Sequence, residues 1–240
     1  MEAYVLKTLD YKDAHKLVYF YTLEGIKSAI AYQTKKMTSR SRYMLQPLTK
    51  VDMTLTSGKL PSVKDVDLID DYQAIKNDLT SYTYASHILE LIYGTVSEED
   101  DHSKMFSFLH RLLGLMPSHN PSVVTMIFEL KLLHFIGYGL QFKQCAICGK
   151  TEDTFFHPSS GGVTCLNHID AHDLIANKEE TLLLKYLYYI DIDKDELPDM
   201  DDHTKEKLRR LIELLFEEFV GYKTKSSKII KQIEKNNDAR

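Results

Sequence analysis

The sequence predicts an α+β protein with more than one domain, in which a small β-barrel precedes a helical domain. Up to about residue 70 the chain consists of short segments of strand composition separated by turn signals. From about Tyr72 onward the apolar residues adopt helical spacing. A cluster of cysteines interrupts the helical part and predicts an inserted metal-binding motif. The chain has 240 residues, of which 43% are hydrophobic and 27% charged, which is typical of a soluble globular protein.

Five segments in the N-terminal part have the composition of strands. They are residues 3–9, 17–22, 26–32, 51–56 and 63–69. Leu23-Glu24-Gly25 predicts a hairpin connection between the second and third segments. Five short strands favour an OB-fold, although other small barrels share this strand count.

Helical spacing of apolar residues defines the rest of the chain. It predicts helices around residues 82–92, 105–113, 122–137, 178–184 and 202–222, and the charged segment 222–228 is expected to extend the last of them. We therefore expect an OB-fold in residues 1–78, a helical domain in 79–144 and 174–240, and a zinc-finger insertion in 145–173.

All three cysteines lie close together and form two short chelating pairs with a histidine. The predicted ligands are Cys145, Cys148, Cys165 and His168. Two such pairs, separated by a short loop, are typical of a tetrahedral Zn²⁺ site, and four protein ligands leave no open position for catalysis. We therefore predict one structural Zn²⁺ ion. His157 and His172 are nearby alternatives for the fourth ligand, but only His168 repeats the two-residue spacing.

Other interpretations of the cysteines explain less of the pattern. A disulfide would leave the third cysteine unpaired, and a redox pair at Cys145 and Cys148 would not account for Cys165 and His168. The absence of an export signal and of an apolar run of about 20 residues predicts a cytoplasmic protein. No catalytic or phosphate-loop motif is present, so we expect no enzymatic activity.

The net charge is −5, but the charges are strongly segregated along the chain. Between Gly25 and Val51 there are six basic residues and no acidic ones. Lysine and arginine neutralise phosphates, so this stretch predicts a contact with nucleic-acid phosphates, with a solvated surface loop as the alternative. The candidate residues for this contact are Lys27, Lys35, Lys36, Arg40 and Arg42. Tyr19, Tyr21 and Tyr32 are candidates either for base stacking or for the barrel core.

Two smaller groups of charges have competing explanations. Lys223 and Lys225 could contact a partner, or could simply complement the C-terminal end of a helix. The acids between Asp65 and Asp71 could bind a divalent cation, but they are more typical of a solvated strand end and helix start.

These features, together with several short segments, resemble the RecO family of bacterial recombination mediators. The resemblance covers nearly the whole chain, and its most specific part joins Cys145-Ala146-Ile147-Cys148-Gly149 to Gly161-Gly162-Val163-Thr164-Cys165. The other matching segments are 5–8, 13–18, 25–26, 41–42, 46–48, 128–133 and 219–233. Many zinc-bearing members carry a cysteine where this chain has His168, and some members lack the cysteines, which implies an architectural role for zinc.

The resemblance implies a function without a bond-making step. It implies binding to single- and double-stranded DNA, annealing of complementary strands, and partnership with RecR. It also implies contact with the acidic C-terminal tail of single-stranded DNA-binding protein and help in loading RecA. Two alternatives stay open, namely a zinc enzyme such as a deaminase, and a non-catalytic zinc-containing adaptor that binds proteins without contacting DNA.

Overall fold

The computed structural model describes residues 1–34, 40–98, 100–170 and 173–238, without the side chains of residues 40–41 and 235–238. This part of the chain contains seven β-strands and eight α-helices. The strands are β1 (Glu2–Tyr11), β2 (His15–Thr22), β3 (Gly25–Ala31), β4 (Lys50–Leu55), β5 (Val63–Asp70), β6 (Thr154–His157) and β7 (Gly162–Cys165). The helices are α1 (Arg40–Met44), α2 (Gln73–Lys76), α3 (Leu79–Thr95), α4 (His102–Leu115), α5 (Pro121–Phe135), α6 (Lys178–Tyr189), α7 (Asp202–Leu215) and α8 (Ser226–Asp238).

The chain divides into two compact units, Met1–Pro117 and Ser118–Arg240. The first unit contains β1–β5 and α1–α4, and the second contains β6, β7 and α5–α8. The finer division of the sequence at residues 78, 144 and 173 stays a prediction. No helix within the described ranges is both long enough and apolar enough to cross a membrane.

The first five strands form an antiparallel sheet in the order β3-β2-β1-β4-β5. A parallel bridge between Ile30 on β3 and Ser62, just before β5, joins the two outer strands. The Ile30 amide donates a hydrogen bond to the Pro61 carbonyl at 2.9 Å across this junction. Helix α1 lies in the connection between β3 and β4. A five-stranded sheet that closes in this order is an OB-fold barrel, so the predicted mixed α+β fold with an N-terminal barrel is confirmed.

Alternate side chains of the barrel strands point inward and form the core, because successive residues of a strand face opposite sides of the sheet. The buried core residues are Ala3, Val5, Val18, Phe20, Ala29, Ala31, Met44, Leu45, Val51 and Met53. Met44 and Leu45 come from α1 and the residue that follows it, so this short helix contributes directly to the barrel interior.

Helices α3 and α4 cover the outer side of β1 and β2. The ring of Phe106 lies 4.8 Å from that of Tyr4, measured between centroids, and the ring of His102 lies 5.6 Å from that of Tyr21. Both tyrosines are fully buried. Aromatic side chains on both faces of these strands explain why the strand segments are so apolar, since the sheet is covered on both sides.

The second unit is built around α5, which is apolar on all sides and buried along most of its length. Asn120 caps its first turn by accepting hydrogen bonds from the amides of Ser122 and Val123. Helix α6 begins with a capping box, in which Asn177 and Glu180 each bind the other's backbone amide. Helix α7 contributes a buried apolar stripe formed by Leu208, Leu211, Ile212 and Leu215.

The C-terminal segment differs from its prediction as a single extended helix. Helix α7 ends at Leu215, and a π-helical turn follows at Phe216–Val220. Gly221 then adopts a left-handed conformation with φ of 68°, which ends the turn and which glycine tolerates without strain. The prediction that segment 222–228 extends this helix is therefore wrong, because the segment leads into the separate helix α8.

Candidate metal centre and nucleic-acid interface

The hairpin β6–β7 brings the two chelating pairs together. Gln141 pairs with the start of β7 through two backbone hydrogen bonds. The Gln141 amide donates to the Gly161 carbonyl at 3.1 Å, and the Gln141 carbonyl accepts from the Val163 amide at 2.8 Å. A Cβ atom on Gly162 would lie 2.5 Å from the Gln141 carbonyl oxygen, so only glycine permits this approach. The close pairing places the segment that begins at residue 141 next to Cys165.

Tight backbone turns aim both pairs of ligands at one point. In the first loop the Gly149 amide donates to the Cys145 carbonyl at 2.9 Å, and Gly149 has a positive φ of 76°. The Ala146 amide donates to the Val163 carbonyl at 2.9 Å, which anchors this loop to β7. In the second loop a 3₁₀ turn at Leu166–His168 directly follows Cys165 and turns the imidazole back toward it.

The four predicted ligands form one cluster, whose ligand atoms all lie within 4.8 Å of one another. The Sγ atoms of Cys148 and Cys165 are 3.8 Å apart, and Nδ1 of His168 lies 3.4 Å from Cys165 Sγ and 3.6 Å from Cys145 Sγ. A tetrahedral zinc site with ordinary bond lengths has edges of about 3.8 Å between sulfurs and about 3.6 Å between sulfur and nitrogen. The cluster therefore has the spacing needed to hold a metal ion.

The electrostatics of the cluster also suit a cation. Burial raises the pKa of Cys145, but amide hydrogen bonds from Cys148, Cys165 and Ile147 and the contact with His168 outweigh burial and lower it. An amide hydrogen bond from Lys150 lowers the pKa of Cys148, but burial and the two neighbouring thiols raise it overall. The cluster thus stabilises one thiolate readily and disfavours further ones, and a bound cation would relieve that repulsion.

The other candidate ligands lie elsewhere. Nε2 of His157 faces Asp173 Oδ2 at 3.4 Å, and His157 is not part of the cluster. His172 lies outside the described residues.

In the part of the chain that the structure describes, the acids near β5 form no metal-binding group. Asp70 and Asp71 instead accept hydrogen bonds from the amides of Tyr72 and Gln73, as expected at the start of a helix.

The residues predicted to bind DNA are placed only in part. Lys35 and Lys36 lie outside the described residues, as does the side chain of Arg40. Lys27 forms an ion pair with Glu24 at 2.9 Å, so part of its charge is already neutralised. Arg42 is exposed on α1. These residues stay predictions as a DNA-binding set.

The three candidate stacking tyrosines have different environments. Tyr21 is buried beneath α4, and the ring of Tyr19 packs edge-on against that of Tyr93 with 5.1 Å between centroids. Tyr32 is 55% exposed, and its ring lies 4.9 Å from that of His15. Of the three tyrosines, Tyr32 is thus the most exposed.

A cleft in the first unit contains basic residues that sequence reasoning did not assign to one site. It has a volume of about 440 Å³ and is lined by Lys16, Arg42, Gln46, Pro47, Lys76 and Tyr82. These residues come from β2, α1, the segment after α1, α2 and α3. No sequence pattern unites them, because the cleft is created by the packing of separate elements.

The two basic residues near the C-terminus also differ from each other. Lys223 forms an ion pair with Glu217 at 2.7 Å, and this partner raises the pKa of the Lys223 ammonium. Lys225 is exposed. Lys223 is therefore engaged within the chain, and both residues stay predictions as partner contacts.

Comparison with known proteins covers almost the whole chain. Two family models match, "Recombination protein O N terminal" over residues 1–72 and "Recombination protein O C terminal" over residues 76–228. DNA repair protein RecO of Listeria monocytogenes serotype 4b (strain CLIP80459) is 27% identical over 98% of this chain and 94% of the relative. The proteins of the same name from Clostridium novyi and Bacillus cytotoxicus are each 27% identical over 98% of this chain, and cover 94% and 97% of those relatives. The chain therefore belongs to the RecO family.

Proposed function

We propose that the protein is a mediator of DNA repair and homologous recombination that binds single- and double-stranded DNA and anneals complementary strands. The observation that carries this proposal is the family membership along nearly the full chain. The closed OB-fold barrel with exposed cations beside it supports the same conclusion, because barrels of this kind bind nucleic-acid strands in grooves.

The proposed mechanism is electrostatic and involves no bond-making step. Cations beside the barrel bind the phosphates of one strand, and Tyr32 offers an aromatic ring on which a base can stack. Neutralising the charge of the first strand lowers its repulsion toward a complementary strand. Binding is then tolerant of sequence and sensitive to salt.

The proposed partners follow from the family and not from a surface of this chain. With RecR, the protein would help to load RecA onto strands that are coated by single-stranded DNA-binding protein. It would reach such strands by contacting the acidic C-terminal tail of that protein, with the exposed residues Lys223 and Lys225 as weak candidate contacts. We propose a bacterial cytoplasmic location, with association to the nucleoid during repair.

We further propose that Cys145, Cys148, Cys165 and His168 hold one structural Zn²⁺ ion. The spacing of the ligand atoms and the three sulfur donors support zinc over harder cations, which prefer oxygen. The ion would join the loop after residue 144 to the loop after β7. Four protein ligands leave no position for a substrate, so the role of the ion is architectural. We assign DNA binding to residues 1–78, the helical domain to 79–144 and 174–240, and the metal insertion to 145–173.

Fluorescence anisotropy with labelled oligo-dT across a salt series tests the proposal. Wild type is compared with a variant in which Lys35, Lys36, Arg40 and Arg42 are all changed to alanine. A matched control replaces four exposed lysines elsewhere, Lys59, Lys104, Lys143 and Lys185. If all four cations contact phosphates, the slope of log K against log salt becomes shallower by about 2.8 in the variant, at about 0.7 per contact for single strands.

Each result has a distinct meaning. Salt-dependent binding by wild type, with accelerated annealing of complementary oligonucleotides, supports the mediator function. Failure of wild type to bind oligo-dT at low salt would refute direct DNA contact and leave the protein-binding adaptor. Equal binding by the variant and the control would place the DNA contact outside the loop.

A further inference from the structure

The basic cleft of the first unit combines three cations with no carboxylate in its lining among the described residues. Lys16, Arg42 and Lys76 approach it from β2, α1 and α2. Like charges that share one concave site repel one another, and a bound anion removes this repulsion. The concentration of positive charge in one cleft of an otherwise acidic protein therefore points to an anionic ligand.

Lys76 is the most constrained of the three cations. Its Nζ atom donates to Thr49 Oγ1 at 3.3 Å. Burial lowers the pKa of Lys76, while Asp71 and Asp70 act in the opposite direction. The carboxylate of Asp71 is itself bound by the Tyr43 hydroxyl and the Gln73 amide. Lys76 is thus half-buried and held by a hydroxyl, and an anion in the cleft would give it a direct charged partner.

We propose that Lys16, Arg42 and Lys76 form a binding site for consecutive phosphodiester groups of one nucleic-acid strand. This inference rests on the proposed function, and it adds Lys16 and Lys76 to Arg42 as residues that contact the strand. Arg42 supplies a fork of donors that matches phosphate oxygens, and the two lysines act as point charges.

The lining of the cleft favours a phosphate chain over an acidic peptide. Its uncharged members are Gln46, Pro47 and Tyr82, so a hydrogen-bonding amide and one aromatic ring accompany the cations. A strand presents phosphates with sugars and bases between them, and these groups suit such a lining. A peptide that binds through both its acidic and its apolar side chains would need an apolar pocket. Among the residues that line this cleft, only Pro47 and Tyr82 have apolar or aromatic side chains.

The test measures oligo-dT binding by anisotropy between 0.05 and 0.5 M salt (about one decade) for Lys16→Gln/Lys76→Gln. The control is Lys104→Gln/Lys185→Gln, which removes the same charge from two exposed helical positions. Loss of two phosphate contacts makes the salt slope shallower by about 1.4. When variant and wild type bind equally at 1 M salt, the variant therefore binds about 25-fold more weakly than wild type at 0.1 M salt. Lys16→Arg/Lys76→Arg keeps the charge and is expected to retain the wild-type slope.

The outcomes separate this inference from the function on which it rests. Wild-type binding with a shallower slope only in Lys16→Gln/Lys76→Gln supports the cleft. Wild-type binding with identical slopes in that variant and in the control overturns the cleft while DNA binding stands. Loss of binding in Lys16→Arg/Lys76→Arg as well would indicate a structural defect and would also overturn the charge-based site. Weakened binding of an acidic peptide with unchanged oligo-dT binding would assign the cleft to a protein ligand instead.

Discussion

Replacing Arg209 by methionine should strongly destabilise the second unit. Arg209 Nη1 lies 2.5 Å from Glu129 Oε2, and both side chains are only 4% exposed. Methionine has a similar length and fills much of the same space, so the main effect is loss of the cation that faces a buried carboxylate. Removing one partner of a buried ion pair costs about 3–5 kcal/mol. Because every 1.4 kcal/mol is about a tenfold change, the unfolded state of this unit becomes about 140- to 4,000-fold more populated.

Hydrogen exchange measured by mass spectrometry reports this change directly. The slowest amides of α5 and α7 should exchange about 140- to 4,000-fold faster in Arg209→Met. Arg210→Met is the matched control, because Arg210 is the exposed neighbour on the same helix. Glu129→Leu combined with Arg209→Met removes both charges and should restore most of the protection. Exchange in Arg209→Met that resembles the Arg210→Met control would refute the reasoning.

Two further predictions concern the metal centre and a helix cap. The purified protein should contain about one zinc ion per chain by elemental analysis. Cys148→Ser should lower zinc affinity by more than about 100-fold, since losing only a hydrogen-bond partner of a metal ligand costs about 10–100-fold, and equal zinc affinity in Cys148→Ser and an Asn167→Ser control would contradict this. Asp78 accepts the Ser81 amide at 2.7 Å, and this hydrogen bond lowers the pKa of Asp78, so its stabilising effect is full above the unfolded pKa and is lost as the pH falls through the folded one. Asp78→Ala should therefore cost about 1 kcal/mol in urea unfolding at pH 7 and much less near pH 2, and a constant cost across this range would show that the carboxylate does not act as the cap.

Local patterns allowed much of the fold and the metal cluster to be predicted. The barrel strands were recognisable because their composition and turn signals change along a short stretch of sequence. The four residues of the metal cluster were recognisable because they lie within residues 145–168, so their spacing alone restricts the geometry. Both features could be recognised from patterns within short stretches of sequence.

Features that depend on packing between separate elements could not be predicted. Lys16 and Lys76 meet Arg42 only after β2, α1 and α2 assemble, and each looks like an ordinary surface charge in its own segment. Arg209 lies beside the apolar stripe of an otherwise polar helix, where its sequence context gives no sign of a buried partner on α5. The break at Gly221 was missed because the apolar residues before it keep helical spacing through the π turn.

The arrangement of the metal cluster has a consequence for the order of events during protein synthesis. All four ligands are translated before α6, α7 and α8, and the β6–β7 hairpin pairs residues close in sequence. This segment can therefore fold and bring the four residues of the cluster together while the last three helices are still being made. The Phe156 amide later donates to Thr181 on α6 at 3.0 Å, so the completed hairpin provides a surface on which the first of those helices docks as it leaves the ribosome.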